Sequence, residues 1–554
     1  MTVNLEKYKD KLLFLPIGGT EQIGLNLYMY HYNGKWIIVD FGLGFADEHY
    51  PGVEVLVPDI SFIQKYRKDV LGLVLTHAHE DHIGALQYLW GEVQLPIYAS
   101  KFTTAVVKSK LAESGLAQKC NINVVKPNTK FKLGEFEIEF IGLTHSIPEM
   151  NGLMIRTPSG NIFHTGDWKF DDEPVIGKTS NIDALKRIGD EGVLAMICDS
   201  TNIFSEGHSG SEGSLVDSFK KLFAGQKNLI VVSSFASNIA RIHTIAKAAQ
   251  LIGRKVALSG TSLWRMYEAA LDCGYLDDLD SFIKTRDISK YNKKDIVVIA
   301  TGCQGEPRAT MAKLSREEHP DFRLSKNDLV IFSSRIIPGN EKKIFRLFNK
   351  FCKRGIEVLT EKDHFVHVSG HPAREEVSHM YSYVRPTIAI PMHGEPMHIH
   401  EHTKFAKEHG AKFALHVENG YLVDLNAEKP TVLGQLATDV MAVDGNFVIP
   451  ASSEIMSLRR RMRDNGAIFV TCIFDKAGRL LKDPTIIAPG SLDSLEDKDY
   501  FAMLREQIKE SISMHKRNFT ANLEDKIHSI IKNFYKAEIN KQPKIFVQIE
   551  KLDI

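Results

Sequence analysis

The sequence predicts an α/β protein: a β-rich domain, a parallel-sheet α/β unit inserted into it, and a small α+β piece at the C-terminal end. Three observations carry this. Up to about residue 210 the apolar runs are short, β-like and broken by Gly and Asx turns. Beyond that, apolar strands alternate with amphipathic helices, as in a parallel sheet. Near TIAIPMHG the β-rich texture returns, so the middle unit reads as an insertion.

The first domain is expected over residues 1–209 and 367–430, with LLFLPIGG, LNLYMYHYNGKWIIVDFG, LGLVLTHAH, FEIEFIGL, GLMIRTPSGNIFHTGDW and VLAMICDS as its strands. The Asn-Gly pair in YHYNGKWII suits a tight hairpin. Asp40, His77, His145, Asp167 and Asp199 each follow a β-like run, where a rigid sheet presents chemistry to a cleft. The insertion is placed at 210–366, with NLIVVSSFA, KVALSG, DIVVIATG, DLVIFSS and IEVLTE as strands and IARIHTIAKAAQLIG, SLWRMYEAALDCG and EKKIFRLFNKFCKRG as helices. A linker is expected at 431–455. The C-terminal α+β domain follows at 456–554, with helices in DYFAMLREQIKESISMHKR and LEDKIHSIIKNFYKAE.

Composition narrows the class. Among 554 residues, 69 Lys and Arg balance 69 Asp and Glu, 43% are hydrophobic and 25% charged, ordinary values for a soluble globular protein. No run approaches the ~18 apolar residues of a membrane span, and MTVNLEKYKDKLL is no signal peptide. No membrane partner is therefore expected. The six cysteines are scattered without a CxxC pair, which argues against a zinc ribbon or disulfide scaffold and for a reducing cytoplasm. Zero net charge argues at first against a nucleic-acid partner, but it leaves out any bound cations.

The strongest chemical signal is THAHEDHIG at 76–84. His77 and His79 share a side of an extended segment, and Asp81 and His82 follow where a helix begins. Imidazoles and carboxylates are good zinc ligands, and a polar helix start accounts only for Asp81. HAHEDH matches the HxHxDH motif of the metallo-β-lactamase superfamily, and Asp40, His145 in THSIP and Asp167 in HTGDW follow in the superfamily's order. The resemblance implies an αββα sandwich. It implies one zinc held by His77, His79 and His145, a second held by Asp81 and His82, Asp167 bridging them, and Asp40 supporting the histidine loop.

The insertion resembles the β-CASP domain of nucleases, with Asp199 in CDSTN, His371 in HVSGH and His393 in PMHGE as its three motifs. With TGCQGEP, SSFASN and FSSRIIPGN added, nearly the whole chain resembles the bacterial ribonuclease J family. The small departures are Cys303, where Ser is commoner, and Pro372 after HVSGH. The resemblance implies that His393 completes the second zinc site and favours RNA over DNA. It implies 5′→3′ exonuclease and endonuclease activity in mRNA decay and rRNA maturation. Mn2+ or Mg2+ substituting for two Zn2+ per subunit, a homodimer or homotetramer, and association with other RNA-decay proteins are also implied. The alternatives are a DNA-processing β-CASP nuclease and a non-catalytic RNA-binding scaffold.

Phosphodiester hydrolysis needs an ionisable water and relief of charge on the leaving oxygen. Asp81 is expected to orient the attacking water, His371 to protonate the leaving 3′ oxygen, and Asp199 to hold that histidine in its working tautomer. The resemblance assigns His367, Val368, Ser369, Gly370 and His371 to a phosphate. Ser233, Ser234 and Phe235 are weaker candidates for a 5′-monophosphate pocket on single-stranded RNA, with a helix N-cap as the plainer reading. Asp444 in VDG is a candidate ligand for a structural cation such as Ca2+. His398, His400 and His402 in MHIHEH are expected on a solvated helix face, and Arg459, Arg460, Arg461 and Arg463 form a basic run open to RNA, a partner subunit or water.

Overall fold

The computed structural model describes residues 5–514 and 523–553; the last three residues of the helix expected over 499–517 lie outside them. Two units result. One runs to Gly44 and from Leu56 to Thr438; the other joins Phe45–Val55 to the chain from Asp439 onward.

In the first unit, two sheets face each other. One has eight strands in the order Thr431–Gln435, Tyr421–Asp424, Leu13–Gly18, Leu27–Tyr32, Lys35–Val39, Val70–Val74, Ile97–Ala99 and Ile122–Val124. The other has seven: Phe413–Ala414, Ile388–Met392, Ala195–Asp199, Gly160–His164, Asn151–Thr157, Phe136–Gly142 and Lys130–Leu133. Strand alternation sends Tyr28, Tyr30, Ile37 and Val39 from one sheet against Ile138, Phe140, Leu153, Ile155 and Ile197 from the other, making the central core. On its far side the second sheet packs Leu185 and Ile188 of helix Ile182–Glu191 and Met380 and Tyr381 of helix Arg374–Val384. Asn33 and Gly34 both have positive φ, as a two-residue hairpin turn requires.

The register gathers the strand ends that matter. Val39 pairs in parallel with Val74, which puts Asp40 beside the start of the His77 loop. Asp199 pairs in parallel with Met392, which puts it beside His393. Parallel strands bring their carboxyl ends to one edge, and the site grows there.

The insertion is a fully parallel six-stranded sheet in the order Ile283–Lys284, Lys255–Ser259, Ile296–Ala300, Ile230–Ser233, Leu329–Phe332 and Glu357–Leu359. Arg241, on helix Ile239–Gln250, is fully buried where the chain crosses between the insertion and the sandwich. Its guanidinium pairs with Glu212, donates to Ser333 O at 2.9 Å and Oγ at 2.7 Å, and donates to Val368 O at 3.1 Å. One side chain thus ties both crossings, near 212 and near 367, to the insertion's sheet.

In the second unit, Ala467–Phe474 pairs in parallel with Lys544–Lys551 and antiparallel with Thr485–Ile487. Ile468, Val470 and Cys472 pack on Leu504, Ile508, Ile527 and Ile531. The 431–455 stretch expected as a linker instead carries the strands Thr431–Gln435, Val440–Asp444 and Phe447–Pro450. Among the described residues no helix is long and apolar enough to cross a membrane, and all six cysteines are free thiols.

Removing one member of a buried ion pair strands the other. Arg241→Met should cost about 3–5 kcal/mol, read from the urea midpoint, and adding Glu212→Leu should return most of it. A single variant as stable as the parent contradicts the central place given to this pair.

Candidate metal centre

Asp40 sits at the end of strand Lys35–Val39 with φ 61°, a left-handed conformation that Asp tolerates better than most residues. It is fully buried and spent on one loop. Oδ1 accepts the Thr76 N–H and Oδ2 the Thr76 hydroxyl, both at 2.8 Å, and Oδ2 also accepts His82 Nδ1–H at 2.7 Å. Burial alone raises its pKa; His82 and Thr76 pull the other way. The expected support of the histidine loop is this set of contacts. Gly42 belongs to it as well, because a Cβ there would stand 1.6 Å from the carbonyl oxygen of Asp81.

The histidines share one orientation rule. The Thr76 hydroxyl gives its proton to Asp40, so at 2.9 Å it accepts from His77 Nδ1–H and leaves Nε2 bare. His145 Nδ1–H donates to Gly370 O at 2.5 Å. The Thr201 hydroxyl donates to Asp199 Oδ1 at 2.7 Å and accepts His393 Nδ1–H at 2.8 Å. With His82, four histidines thus anchor Nδ1–H on oxygen and turn Nε2 inward, as outer partners do for metal-binding imidazoles. His79 is reversed: Nδ1 faces inward, 3.1 Å from the Nε2 atoms of His77 and His145, and Nε2 meets Ser146 Oγ at 3.4 Å.

Two donor sets result. His77, His79, His145 and Asp167 form one; Asp81, His82, Asp167 and His393 form the other. Asp167 Oδ2 stands between them, 3.1 Å from His82 Nε2, 3.7 Å from His393 Nε2 and 4.0 Å from His77 Nε2. A third overlapping set, Asp167, Asp199, His371 and His393, adds the two groups expected to serve proton transfer. Asp167 Oδ1 is buried with no hydrogen-bond partner. Bare nitrogens and an orphaned carboxylate oxygen crowded together repel unless a cation stands among them. The residues therefore fit a divalent ion with nitrogen and oxygen ligands.

Charge divides the sets. Burial holds the pKa of His77 and His145 well down and that of His79 down to about 4, so these rings are neutral ligands at pH 7. Burial pushes His82 and His393 the same way, but Asp167 above all overrides it; His82 is raised well above its ordinary value and His393 up to about 10. Asp81 and Asp167 are correspondingly held ionised, burial being outweighed by His82 and His393.

Asp199 and His371 come together as expected, Nδ1–H donating to Oδ2 at 2.7 Å. Ring centres place His371 5.1 Å from His145 and 5.4 Å from His393. Its pKa is raised: burial opposes this, and the Asp199 carboxylate prevails. In the HVSGH segment, Ser369 Oγ accepts from Asn202 Nδ2 at 2.7 Å and from His371 N–H at 3.1 Å. The carbonyl of Val368 is taken by Arg241. His367 is driven well below its ordinary pKa by burial, then by Arg241, Arg335 and Lys169. Gly370 also makes room for His145: a Cβ there would lie 2.9 Å from His145 Cε1.

Phe235 is half-buried against the insertion's core, and Ser233 and Ser234 are buried with hydroxyls that meet no partner among the described residues. Asn238, as the N-cap reading anticipated, accepts Arg241 N–H at 2.8 Å. Other expectations are corrected. Asp444 is gripped by Arg459 at 2.9 and 2.6 Å, so a guanidinium takes the place of the expected structural cation. Arg460 and Arg463 reach the carbonyls of His49 and Glu48, which spends most of the basic run. His402 is not solvated: it is fully buried, bonded to Ser200 Oγ at 2.9 Å and Tyr381 OH at 3.0 Å. The residues sequence reasoning missed are Thr76, Thr201, Asn202, Arg241 and Asn26, whose amide donates to Asp81 O at 3.0 Å. Only Asn26 left a signal, sharing a strand face with Tyr28 and Tyr30.

Comparison with known proteins agrees along the chain. Residues 35–189 match the beta-lactamase superfamily domain, 227–351 the ribonuclease J beta-CASP domain, 355–417 the Zn-dependent metallo-hydrolase RNA specificity domain and 455–552 the ribonuclease J C-terminal domain. The ribonuclease J of Sinorhizobium meliloti is 35% identical over 98% of both chains. That of Thermus thermophilus is 32% identical over 97% of this chain and 95% of its own. A crystal structure of a protein of unknown function from Enterococcus faecalis V583 superposes with TM-score 0.52 at 17% identity, covering 74% of this chain and 99% of its own, a likeness of fold alone.

The divided charge predicts two binding behaviours. His82 and His393 have raised pKa values, so below them they hold protons that a metal must displace, and affinity at their set rises with pH. The His77, His79 and His145 set, already neutral, stays nearly flat above about pH 6. Calorimetric metal titrations from about pH 6 to 9 should show one pH-independent event and one strengthening by up to about a hundredfold per unit, because two protons leave; two events with the same pH slope would contradict this. Gly370→Ala should weaken the flat event about 10–100-fold by displacing His145.

Proposed function

The chain belongs to the ribonuclease J family and is a metal-dependent ribonuclease, and on that premise we propose how its residues divide the work. The single observation that carries the proposal is Asp167 Oδ2, placed between two complete donor sets. We assign a Zn2+ to each set, replaceable by Mn2+ or Mg2+. Ions bound there supply Lewis acidity toward a phosphodiester and make water ionisable near neutrality.

The chain's own groups do the rest. Asp81, with 26% of its side chain exposed, faces the cleft and orients the attacking water. Asp199 holds His371 with Nδ1–H on its own carboxylate, so Nε2 carries the mobile proton. The Asp199 carboxylate raises the pKa of His371 and so favours its protonated form, which gives that proton to the leaving 3′ oxygen. His367, Ser369 and His371, whose segment is tied down by Arg241 and Asn202, hold a phosphate of the substrate.

This reading extends to 5′→3′ exonuclease and endonuclease action on single-stranded, 5′-monophosphorylated RNA in mRNA decay and rRNA maturation. A cytoplasmic homodimer or homotetramer working with other RNA-decay proteins belongs to the same proposal, as does the division at 1–209, 210–366, 367–430 and 456–554.

Full-length protein given 5′-labelled monophosphorylated RNA should release nucleotides with Zn2+ or Mn2+ and stop with chelator. No chelator-sensitive cleavage overturns the proposal, and equal cutting of matched DNA turns it toward a DNA nuclease. His371→Ala should lower kcat about 10²–10⁴-fold. Because His371 acts as an acid with a raised pKa, activity falls as pH climbs through that value. Asp199→Asn removes the raising charge and should move this alkaline limb to lower pH; an unmoved limb would separate Asp199 from the proton transfer.

A further inference from the structure

TGCQGEP and FSSRIIPGN, the two motifs left without a function above, meet in the insertion. Gln304 is buried and splints the loop that follows strand Leu329–Phe332. Its Nε2 donates to Arg335 O at 2.9 Å, and its Oε1 accepts Ile337 N–H at 2.9 Å and Asn340 Nδ2 at 3.4 Å. A buried amide thus fixes the backbone on both sides of Arg335.

What the splint presents is a largely unspent cation. The Arg335 side chain is 58% exposed, and its guanidinium meets Asn202 Oδ1 at 3.5 Å and Glu361 Oε1 at 3.9 Å, both loose contacts. Arg241, by contrast, spends its guanidinium on buried partners. Such loose surface contacts add little stability, so a rigid loop built around them is not explained by folding. Location supplies the explanation. Asn202 donates to Ser369 Oγ at 2.7 Å and to His371 O at 3.0 Å, so Arg335 borders the groups assigned to phosphate binding and proton transfer. Guanidinium forks recognise phosphate oxygens in pairs.

We propose that Arg335 binds an RNA phosphate at the edge of the cleft, and that Gln304 is the positioning residue that aims it. This rests on the ribonuclease reading above and adds to it a cation from the inserted domain. The phosphate is an internal phosphodiester or the 5′-terminal monophosphate.

The test is steady-state kinetics of the metal-loaded full chain at several salt concentrations. Each phosphate contact on a single strand contributes about 0.7 to the slope of log affinity against log salt. Arg335→Ala should raise KM about tenfold with little change in kcat, and make the salt slope of kcat/KM shallower by about 0.7. Arg335→Lys should keep the slope and recover part of the KM. Gln304→Leu should raise KM while kcat and the slope hold. Lys350→Ala, an exposed charge on helix Glu341–Lys353, controls for net charge. A loss confined to 5′-monophosphorylated RNA assigns the terminal phosphate, and an equal loss on 5′-hydroxyl RNA an internal one. If Arg335→Ala matches the Lys350→Ala control in KM and slope, the inference is overturned. Wild-type protein that fails to cleave RNA overturns the ribonuclease reading instead.

Discussion

The Asp40 carboxylate holds a backbone amide, a hydroxyl and an imidazole at once, and the metal centre depends on that grip. Through Thr76 it sets the Nδ1 proton of His77, and directly it sets that of His82, so that one buried anion points two Nε2 atoms inward. Thr201 on Asp199 and the Gly370 carbonyl repeat the device for His393 and His145. Imidazole is a ligand only at a nitrogen without a proton, so these outer hydrogen bonds decide whether seven converging side chains make a metal site or a knot of mutual repulsion. Asp40 and His393 both carry positive φ, modest strain of the kind that gathers at functional sites.

Neutral net charge is reconciled with an anionic substrate at this centre. The chain concentrates Asp81, Asp167 and Asp199 where a phosphodiester must bind, and in the absence of metal protons on His82 and His393 balance them. Divalent ions in place of those protons reverse the local sign without any excess of Lys and Arg elsewhere. The insertion supplies the remaining polar framework through Arg241, which anchors the backbone of Val366 and Val368. Affinity for nucleic acid is then concentrated in the cleft and modest elsewhere.

Much of this was legible in the sequence, for identifiable reasons. HAHEDH concentrates ligands in six residues, and Asp40, His145, Asp167 and Asp199 end β-like runs whose parallel register carries them to one edge. The alternation of strands and helices identified the inserted sheet for the same reason. Partners separated by a hundred or more residues were not legible: Thr201 with His393, Asn202 with Ser369 and Arg241 with Val368 look like any polar residues until the chain folds. That Gly370 also accommodates His145 was not legible, because the two lie 225 residues apart. Asp444 and His402 show the converse error. A lone carboxylate and a histidine on an amphipathic helix give no hint of the Arg459 fork or the Tyr381 hydroxyl that satisfies them.

The central claim is that two ions lie on either side of Asp167. A crystal of the full chain grown with Zn2+, measured at the zinc absorption edge, tests it most directly. Two anomalous peaks are predicted, one among His77, His79, His145 and Asp167 and the other among Asp81, His82, Asp167 and His393. A single peak in the set of Asp167, Asp199, His371 and His393, or none near Asp167, would contradict it.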